Sequence, residues 1–190
     1  MRVVFLEAPE QLLAERRRLG LDVRDEMWEG ELHMVPPPSF GHQRREARLL
    51  RALGPVADEA GLEAVAEAGL YQGSKSWRVP DLVVLRPEQA TDRGVEGGAV
   101  LVVEIRSPGD ETDTKSSFYA RFGVEELLIV ERDTAAVTLL RPAGGAFRAV
   151  APDDGGWLPC ALGVAFRQAE RGAEGSVLEV RLPDGTITRC

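Results

Sequence analysis

The sequence predicts an α/β (α+β) fold in which helices and strands share one chain, with additional hairpins. Residues 78–85 and 99–106 are apolar runs rich in valine, which is the pattern of strands that are covered on both faces. Residues 126–132 form a third run of this kind. Segments with helix start and stop signals lie before and between these strands.

The first half of the chain predicts two helices and a hairpin. Pro9 and Gly20 bracket a short helix over residues 9–19. A hairpin follows, turned at Glu29-Gly30 and closed by three prolines. Ser39 is a suitable N-cap for a second helix, which is predicted to end at Gly54 and whose apolar stripe is Ala47, Leu49, Leu50 and Leu53.

The remaining elements are mostly strands. An alternating segment at residues 62–70 predicts a strand, although alanine favours strands poorly. A third helix is expected from Asp110 or Thr112 to about Phe122, before Gly123. Residues 136–140 are expected to form a hairpin with the third apolar strand. Residues 177–189 predict another hairpin, which turns at a Pro-Asp-Gly sequence.

Length and composition predict one globular domain over residues 1–190, with an ordinary core. A net charge of −8 argues against binding nucleic acid by bulk electrostatics, but it leaves room for a local basic groove. Cys160 and Cys190 are expected to be reduced and structural. Without a signal-like or membrane-spanning run, a cytoplasmic location is expected. Only two of the 23 basic residues are lysines, Lys75 and Lys115.

Two acidic residues, Asp81 and Glu104, lie in the apolar strands, where removing a carboxylate from water costs free energy. If residues 78–85 and 99–106 pair antiparallel, opposite residues have numbers with a constant sum, and a sum of 185 sets Asp81 opposite Glu104. Both carboxylates would then share one face with Val83 and Val102. Because two partly desolvated carboxylates repel each other, a divalent cation between them would stabilise the arrangement.

An alternative gives these residues structural roles only. Asp81 follows Pro80 and could end a turn, while Glu104 could form an ion pair with Arg106, two residues along on the same face. Likewise, Lys115 could pair with Glu111 at the i, i+4 spacing of a helix.

A set of motif residues follows a defined order along the chain: Pro80-Asp81, Glu104-Ile105-Arg106-Ser107-Pro108, Asp113, Lys115, Tyr119, Gly123 and the strand LLIVER. They are preceded by a hairpin, a proline-rich turn and a His-bearing helix in the segment WEGELHMVPPPSFGHQRREARLL. With these features the chain resembles the Uma-two family of putative restriction endonucleases, which belongs to the PD-(D/E)XK nuclease superfamily. The resemblance covers about residues 26–140.

The resemblance implies a restriction-endonuclease-like core, a mixed β-sheet flanked by helices, with Mg²⁺ (or Mn²⁺) bound by Asp81 and Glu104. Arg106 stands where the superfamily has its lysine, and a guanidinium cannot act as a base near neutral pH. The resemblance therefore makes Lys115, on the following helix, the expected third catalytic residue.

Accessory roles are open for four further residues. His42 could contact substrate or metal, although packing is the commoner role for such a histidine. Glu46 could supply an acid from the helix, Tyr119 could orient Lys115, and Arg106 could stabilise charge on the phosphorane.

Two functions follow. The first is hydrolysis of DNA by a metal-dependent endonuclease, with DNA as partner, a homodimer as the expected assembly and no membrane partner. The second is a catalytically silent module that keeps this fold in order to bind another molecule.

Overall fold

The computed structural model describes residues 3–6, 8–110, 112–170 and 175–190. Across these ranges it contains three sheets and three α-helices, which are α1 (Glu10–Arg18), α2 (Phe40–Glu59) and α3 (Thr112–Phe122). Among the described residues, no helix combines the length and the apolar character that crossing a membrane requires.

A six-stranded mixed sheet forms the centre of the fold. Its strands, in spatial order, are β13 (Ala146–Ala149), β12 (Val137–Ala143), β11 (Val124–Glu131), β10 (Ala99–Arg106), β7 (Leu82–Leu85) and β4 (Glu63–Ala66). Strands β10 and β11 are parallel, and α3 connects them, whereas the other neighbours are antiparallel. A helical crossover between parallel strands is the usual connection.

Two further sheets complete the structure. A seven-stranded sheet has the spatial order β1 (Val3–Phe5), β3 (Glu31–Met34), β2 (Glu26–Trp28), β6 (Trp77–Arg78), β5 (Leu70–Tyr71), β9 (Gly94–Val95) and β8 (Ala90–Thr91). A four-stranded antiparallel sheet consists of β14 (Leu158–Pro159), β15 (Ala165–Glu170), β16 (Ser176–Arg181) and β17 (Ile187–Arg189).

The two faces of the central sheet are covered by different elements. Alternation along β10 sends Leu101 and Val103 to a core that also contains Leu53 of α2 and residues of the four-stranded sheet. Val102 points to the other face, where it packs in a cluster with Phe118 of α3. Glu104 shares the parity of Val102, and it therefore faces α3.

The antiparallel register predicted from the sequence is confirmed. Val102 lies opposite Val83 and Val103 lies opposite Leu82, so the paired numbers sum to 185. The hairpin turn at Glu29-Gly30 and the third helix, which ends at Phe122, are also found where they were expected. Cys160 and Cys190 are free and buried.

The predicted strand over residues 78–85 is in fact two strands in two sheets. Strand β6 ends at Arg78, and β7 begins at Leu82 in the central sheet. Pro80 lies between them, and proline cannot donate a hydrogen bond to a strand ladder. The break positions Asp81 at the junction of the two sheets. The predicted strand at residues 62–70 is divided in the same way between β4 and β5.

The second helix is longer than predicted, because α2 continues through Gly54 and Pro55 to Glu59. Val56 and Ala57 extend the buried stripe of Leu49 and Leu53. The apolar burial gained along this stripe outweighs the hydrogen bond that Pro55 removes from the helix.

We expect Pro55→Ala to raise the free energy of unfolding by about 1–2 kcal/mol. Proline inside a helix costs about 3 kcal/mol relative to alanine, and the stiffer unfolded chain that proline provides offsets about 1 kcal/mol of this. Pro55 is exposed, so the substitution leaves no cavity. Urea unfolding measures the change, with Asp58→Ala as a control on the exposed part of the same helix. A less stable Pro55→Ala variant would contradict this account.

Candidate metal centre and active-site cleft

A cleft of about 530 Å³ opens where Asp81 and the end of β10 meet the N-terminus of α2. The proline turn at residues 36–38 forms one rim, and the loop at residues 107–110 forms another. Four of the residues singled out in the sequence line this cleft: His42, Asp81, Glu104 and Lys115.

Asp81 is fixed from both its backbone and its side chain. Its carboxylate Oδ2 accepts a hydrogen bond from the Ile105 backbone N–H at 2.6 Å. Its carbonyl oxygen accepts one from the Glu67 N–H at 3.0 Å. These bonds tie the segment between β6 and β7 to the end of β10, and they leave Oδ1 facing α2.

The first turn of α2 brings a histidine and a glutamate to Asp81. Ser39 caps the helix by accepting from the His42 N–H. The His42 Nε2 lies 2.8 Å from Asp81 Oδ1, and Glu46 follows one turn later on the same face. One ligand atom from each of His42, Glu46 and Asp81 lies within 4.8 Å of the others.

The group formed by His42, Glu46 and Asp81 stabilises positive charge, as the pKa shifts of His42 and Glu46 indicate. Burial acts to lower the pKa of His42, but the hydrogen bond and charge of Asp81, together with the charge of Glu46, raise it above its ordinary value. Burial also raises the pKa of Glu46, and the charge of Asp81 adds to that shift. Both shifts are the response expected where carboxylates crowd together in a partly buried site.

Glu104 lies deeper and is 4% exposed. Its Oε1 accepts hydrogen bonds from the Tyr119 hydroxyl and from the Lys115 ammonium, the latter at 3.2 Å. Burial raises the pKa of Glu104 to about 7, with the charge of Lys115 opposing the shift and those of Asp81 and Glu26 adding to it. Tyr119 and Lys115 therefore contact the same oxygen from successive turns of α3, and burial together with Glu104 raises the pKa of Tyr119.

Lys115 bridges two buried carboxylates. Its Nζ lies 2.8 Å from Glu26 Oε1 and 3.2 Å from Glu104 Oε1. Burial acts to lower the pKa of Lys115, but the charges of Glu104 and Glu26 and the hydrogen bond to Glu26 raise it. Burial likewise acts to raise the pKa of Glu26, while the charge and hydrogen bond of Lys115 lower it below the ordinary value. The ammonium is therefore charged at neutral pH.

Glu26 is a site residue that the sequence analysis missed. It lies on β2, and its carboxylate also accepts hydrogen bonds from the Val79 N–H at 3.0 Å and the Trp28 Nε1–H at 2.8 Å. Two features of the sequence could have indicated its role. Glu26 is the acidic residue in a short strand that is otherwise apolar, and the chain has only two lysines that could pair with such an acid. Nothing local in the sequence connects it to Lys115.

Arg106 is placed away from Glu104. Its guanidinium donates to Glu131 on the neighbouring strand and to Asp113 at 2.7 Å on α3. The alternative ion pair between Glu104 and Arg106 is therefore not formed. Glu111, the alternative partner of Lys115, lies outside the described residues.

One solved structure similar to this fold is the crystal structure of a putative nuclease belonging to DUF820 from Anabaena variabilis ATCC 29413. The TM-score is 0.57 at 18% sequence identity, and the match covers 66% of this chain and 75% of that chain. No curated protein matches the chain. The structural likeness concerns the fold.

The family comparison covers most of the sequence. Residues 9–167 match the model of the Uma2 family, described as putative restriction endonuclease. This range contains Glu26, His42, Asp81, Glu104 and Lys115. The chain belongs to the Uma2 family.

Proposed function

We propose that this protein is a metal-dependent endonuclease that hydrolyses DNA phosphodiester bonds. The observation that carries the proposal is the convergence of His42, Glu46 and Asp81 within 4.8 Å, beside a cleft that is lined by His42, Asp81, Glu104 and Lys115. Membership in a family described as putative restriction endonuclease supports the reaction class.

The donor set suits a hard divalent cation. Asp81 and Glu104 would hold Mg²⁺ or Mn²⁺, with Glu46 and His42 as further ligands or hydrogen-bond partners. The imidazole in this set favours Mn²⁺ relative to Mg²⁺. When bound, the ion would supply an activated water and neutralise phosphate charge. Ile105 orients the Asp81 carboxylate, and Tyr119 orients Glu104.

Lys115 supplies a fixed positive charge in the cleft. Its ammonium is held by Glu26 and Glu104, so its position requires little reorganisation during the reaction. It stabilises negative charge that develops on the phosphate or orients the attacking water. Arg106, held by Glu131 and Asp113, serves the structure of the strand end in this proposal.

One observation favours a second candidate, a catalytically silent module that binds another molecule. Lys115, Glu26, Glu104 and Tyr119 form a buried network in which the charged groups already have partners. Such a network can hold three elements together without any substrate. Turnover separates the two candidates.

The expected homodimer and cytoplasmic location stay predictions. Sedimentation velocity tests the first, and fractionation of cells that express the protein tests the second.

We expect the protein to bind Mn²⁺ or Mg²⁺ more tightly at pH 8 than at pH 6. The raised pKa values of His42 and Glu104 mean that protons compete with the ion at pH 6, and their release at higher pH favours binding. Displacing one proton strengthens binding by up to about tenfold per pH unit. Isothermal titration calorimetry measures both affinities.

Asp81→Asn and Glu104→Gln should each abolish or strongly weaken this binding. Glu131→Gln is the matched control, because it removes the same charge at the end of the neighbouring strand without lining the cleft. Equal affinity in Asp81→Asn and wild type would reject the site.

For Lys115 we predict a loss of turnover that is separable from a loss of stability. Removing the ammonium alone would leave the buried carboxylates of Glu26 and Glu104 without their cation and would destabilise the protein. The informative comparison is therefore between Glu26→Gln and the double variant Glu26→Gln/Lys115→Met. We expect the double variant to cleave DNA about 100-fold more slowly than the single variant, because one preorganised charge is lost. Cleavage of labelled single- and double-stranded DNA with Mn²⁺ measures the rates, and melting temperatures control for folding.

Lys75→Met is the control for the loss of a lysine, since Lys75 is exposed and does not line the cleft. Equal rates in the single and double variants would remove Lys115 from the reaction. Wild-type protein without metal-dependent cleavage would favour the silent module.

A further inference from the structure

Arg24 lines the same cleft as the acidic group but has no role in the proposal so far. It lies between α1 and β2, and its side chain is 20% exposed. Its Nη2 forms an ion pair with Glu67 Oε1 and lies 3.9 Å from Glu46 Oε2. Arg24 therefore stands beside the group formed by His42, Glu46 and Asp81.

Most of the donor capacity of Arg24 is unused by the protein. A guanidinium carries five N–H donors. Among the described residues, both contacts of Arg24 use Nη2, and neither Nε nor Nη1 has a protein partner. The Nε–H and the two Nη1–H groups are therefore free in a cleft, and charged N–H donors of this kind bind the oxygens of a phosphate.

The other cations of the cleft are more fully engaged. Lys115 is bound between Glu26 and Glu104. Arg132 donates to both carboxylate oxygens of Asp133 through Nε and Nη2, and its Nη1 lies 3.4 Å from Ser107 Oγ. Among the described cations that line the cleft, Arg24 therefore has the most N–H donors available to a ligand.

Glu67, which holds Arg24, has an unfavourable backbone conformation. Its φ is +54°, a region that glycine adopts freely and that other residues adopt rarely. Its N–H donates to the Asp81 carbonyl, and its carboxylate accepts from Gln43 at 3.2 Å as well as from Arg24. A glutamate at this position is less favourable for the backbone than glycine would be, but its carboxylate binds Arg24. Strain of this kind is concentrated at functional sites.

We propose that Arg24 forms a phosphate-binding subsite for a phosphodiester adjacent to the Asp81 group, and that Glu67 is its positioning residue. The inference rests on the proposed nuclease function for the identity of the ligand. Arg24 contacts the phosphate through Nη1, and Glu67 fixes the guanidinium through Nη2. The contact anchors the strand beside the reacting group.

The test compares two arginines of nearly equal exposure. Arg16 has a side chain that is 19% exposed and pairs with Asp25, but it does not line the cleft. Fluorescence anisotropy with a short labelled DNA duplex in Ca²⁺ measures affinity at several salt concentrations. We expect Arg24→Gln to weaken binding about tenfold or more and to reduce the salt slope by about 1. Arg16→Gln removes the same charge and should leave both unchanged.

A double-mutant cycle tests Glu67 as a positioning residue. Glu67→Gly should weaken duplex binding severalfold in the wild-type background and not at all in Arg24→Gln. Its melting temperature should equal or exceed that of wild type, because glycine relieves the positive φ. A lower melting temperature with unchanged affinity would assign Glu67 a purely structural role and overturn this part.

A dithymidine dinucleotide, which carries one phosphodiester, separates this subsite from the nuclease proposal. NMR follows the Arg24 Nε–H signal, assigned by its loss in Arg24→Gln, and a shift on titration is expected. If the dinucleotide shifts this signal but wild type neither binds nor cleaves DNA, the subsite stands and the DNA proposal fails. If wild type cleaves DNA and Arg24→Gln binds both probes as wild type does, the subsite is overturned and the nuclease proposal stands. The absence of any Arg24-dependent binding to either probe also overturns it.

Discussion

The bridge that Lys115 makes between Glu26 and Glu104 is the interaction on which the arrangement of the site depends. Glu26 and Glu104 come from two different sheets, and both are almost fully buried. Two buried carboxylates that face each other would be strongly unfavourable without a cation between them. By satisfying both, Lys115 joins the seven-stranded sheet, the central sheet and α3, and it leaves the charges of Asp81 and Glu46 to be balanced from the cleft.

The cleft itself follows from the break at Pro80. Because the chain leaves one sheet at Arg78 and enters the other at Leu82, the residues between them belong to neither ladder. Their polar groups are satisfied by the site instead: the Val79 N–H binds Glu26, and Asp81 binds Ile105 and His42. The same proline that ends a strand therefore creates the position from which Asp81 reaches the first turn of α2.

Local patterns in the sequence predicted the centre of the fold and four of the residues that line the candidate cleft. Because β10 is covered on both faces, its apolar pattern alone does not set its register with β7. Setting Asp81 opposite Glu104 gave the sum of 185 that the strands show, and the shared parity of Glu104 and Val102 gave the face of Glu104. The limits of α2 were not predictable from Gly54 and Pro55, since burial of Val56 and Ala57 outweighs local propensity. Glu26 and Arg24 were missed because Lys115 and Glu67, their respective ion-pair partners, are more than 40 residues away, and no spacing rule connects such positions.

Anomalous diffraction from crystals soaked in Mn²⁺ shows whether this acidic cleft is a metal centre. We expect one strong peak at about 2.0–2.3 Å from an oxygen of the Asp81 carboxylate, with Glu104, Glu46 or His42 completing the ligands. The His42 contact to Asp81 would rearrange around the ion. The absence of a peak in the cleft at saturating Mn²⁺, with the hydrogen bond between His42 and Asp81 intact, would contradict the account and leave the acids as a structural network.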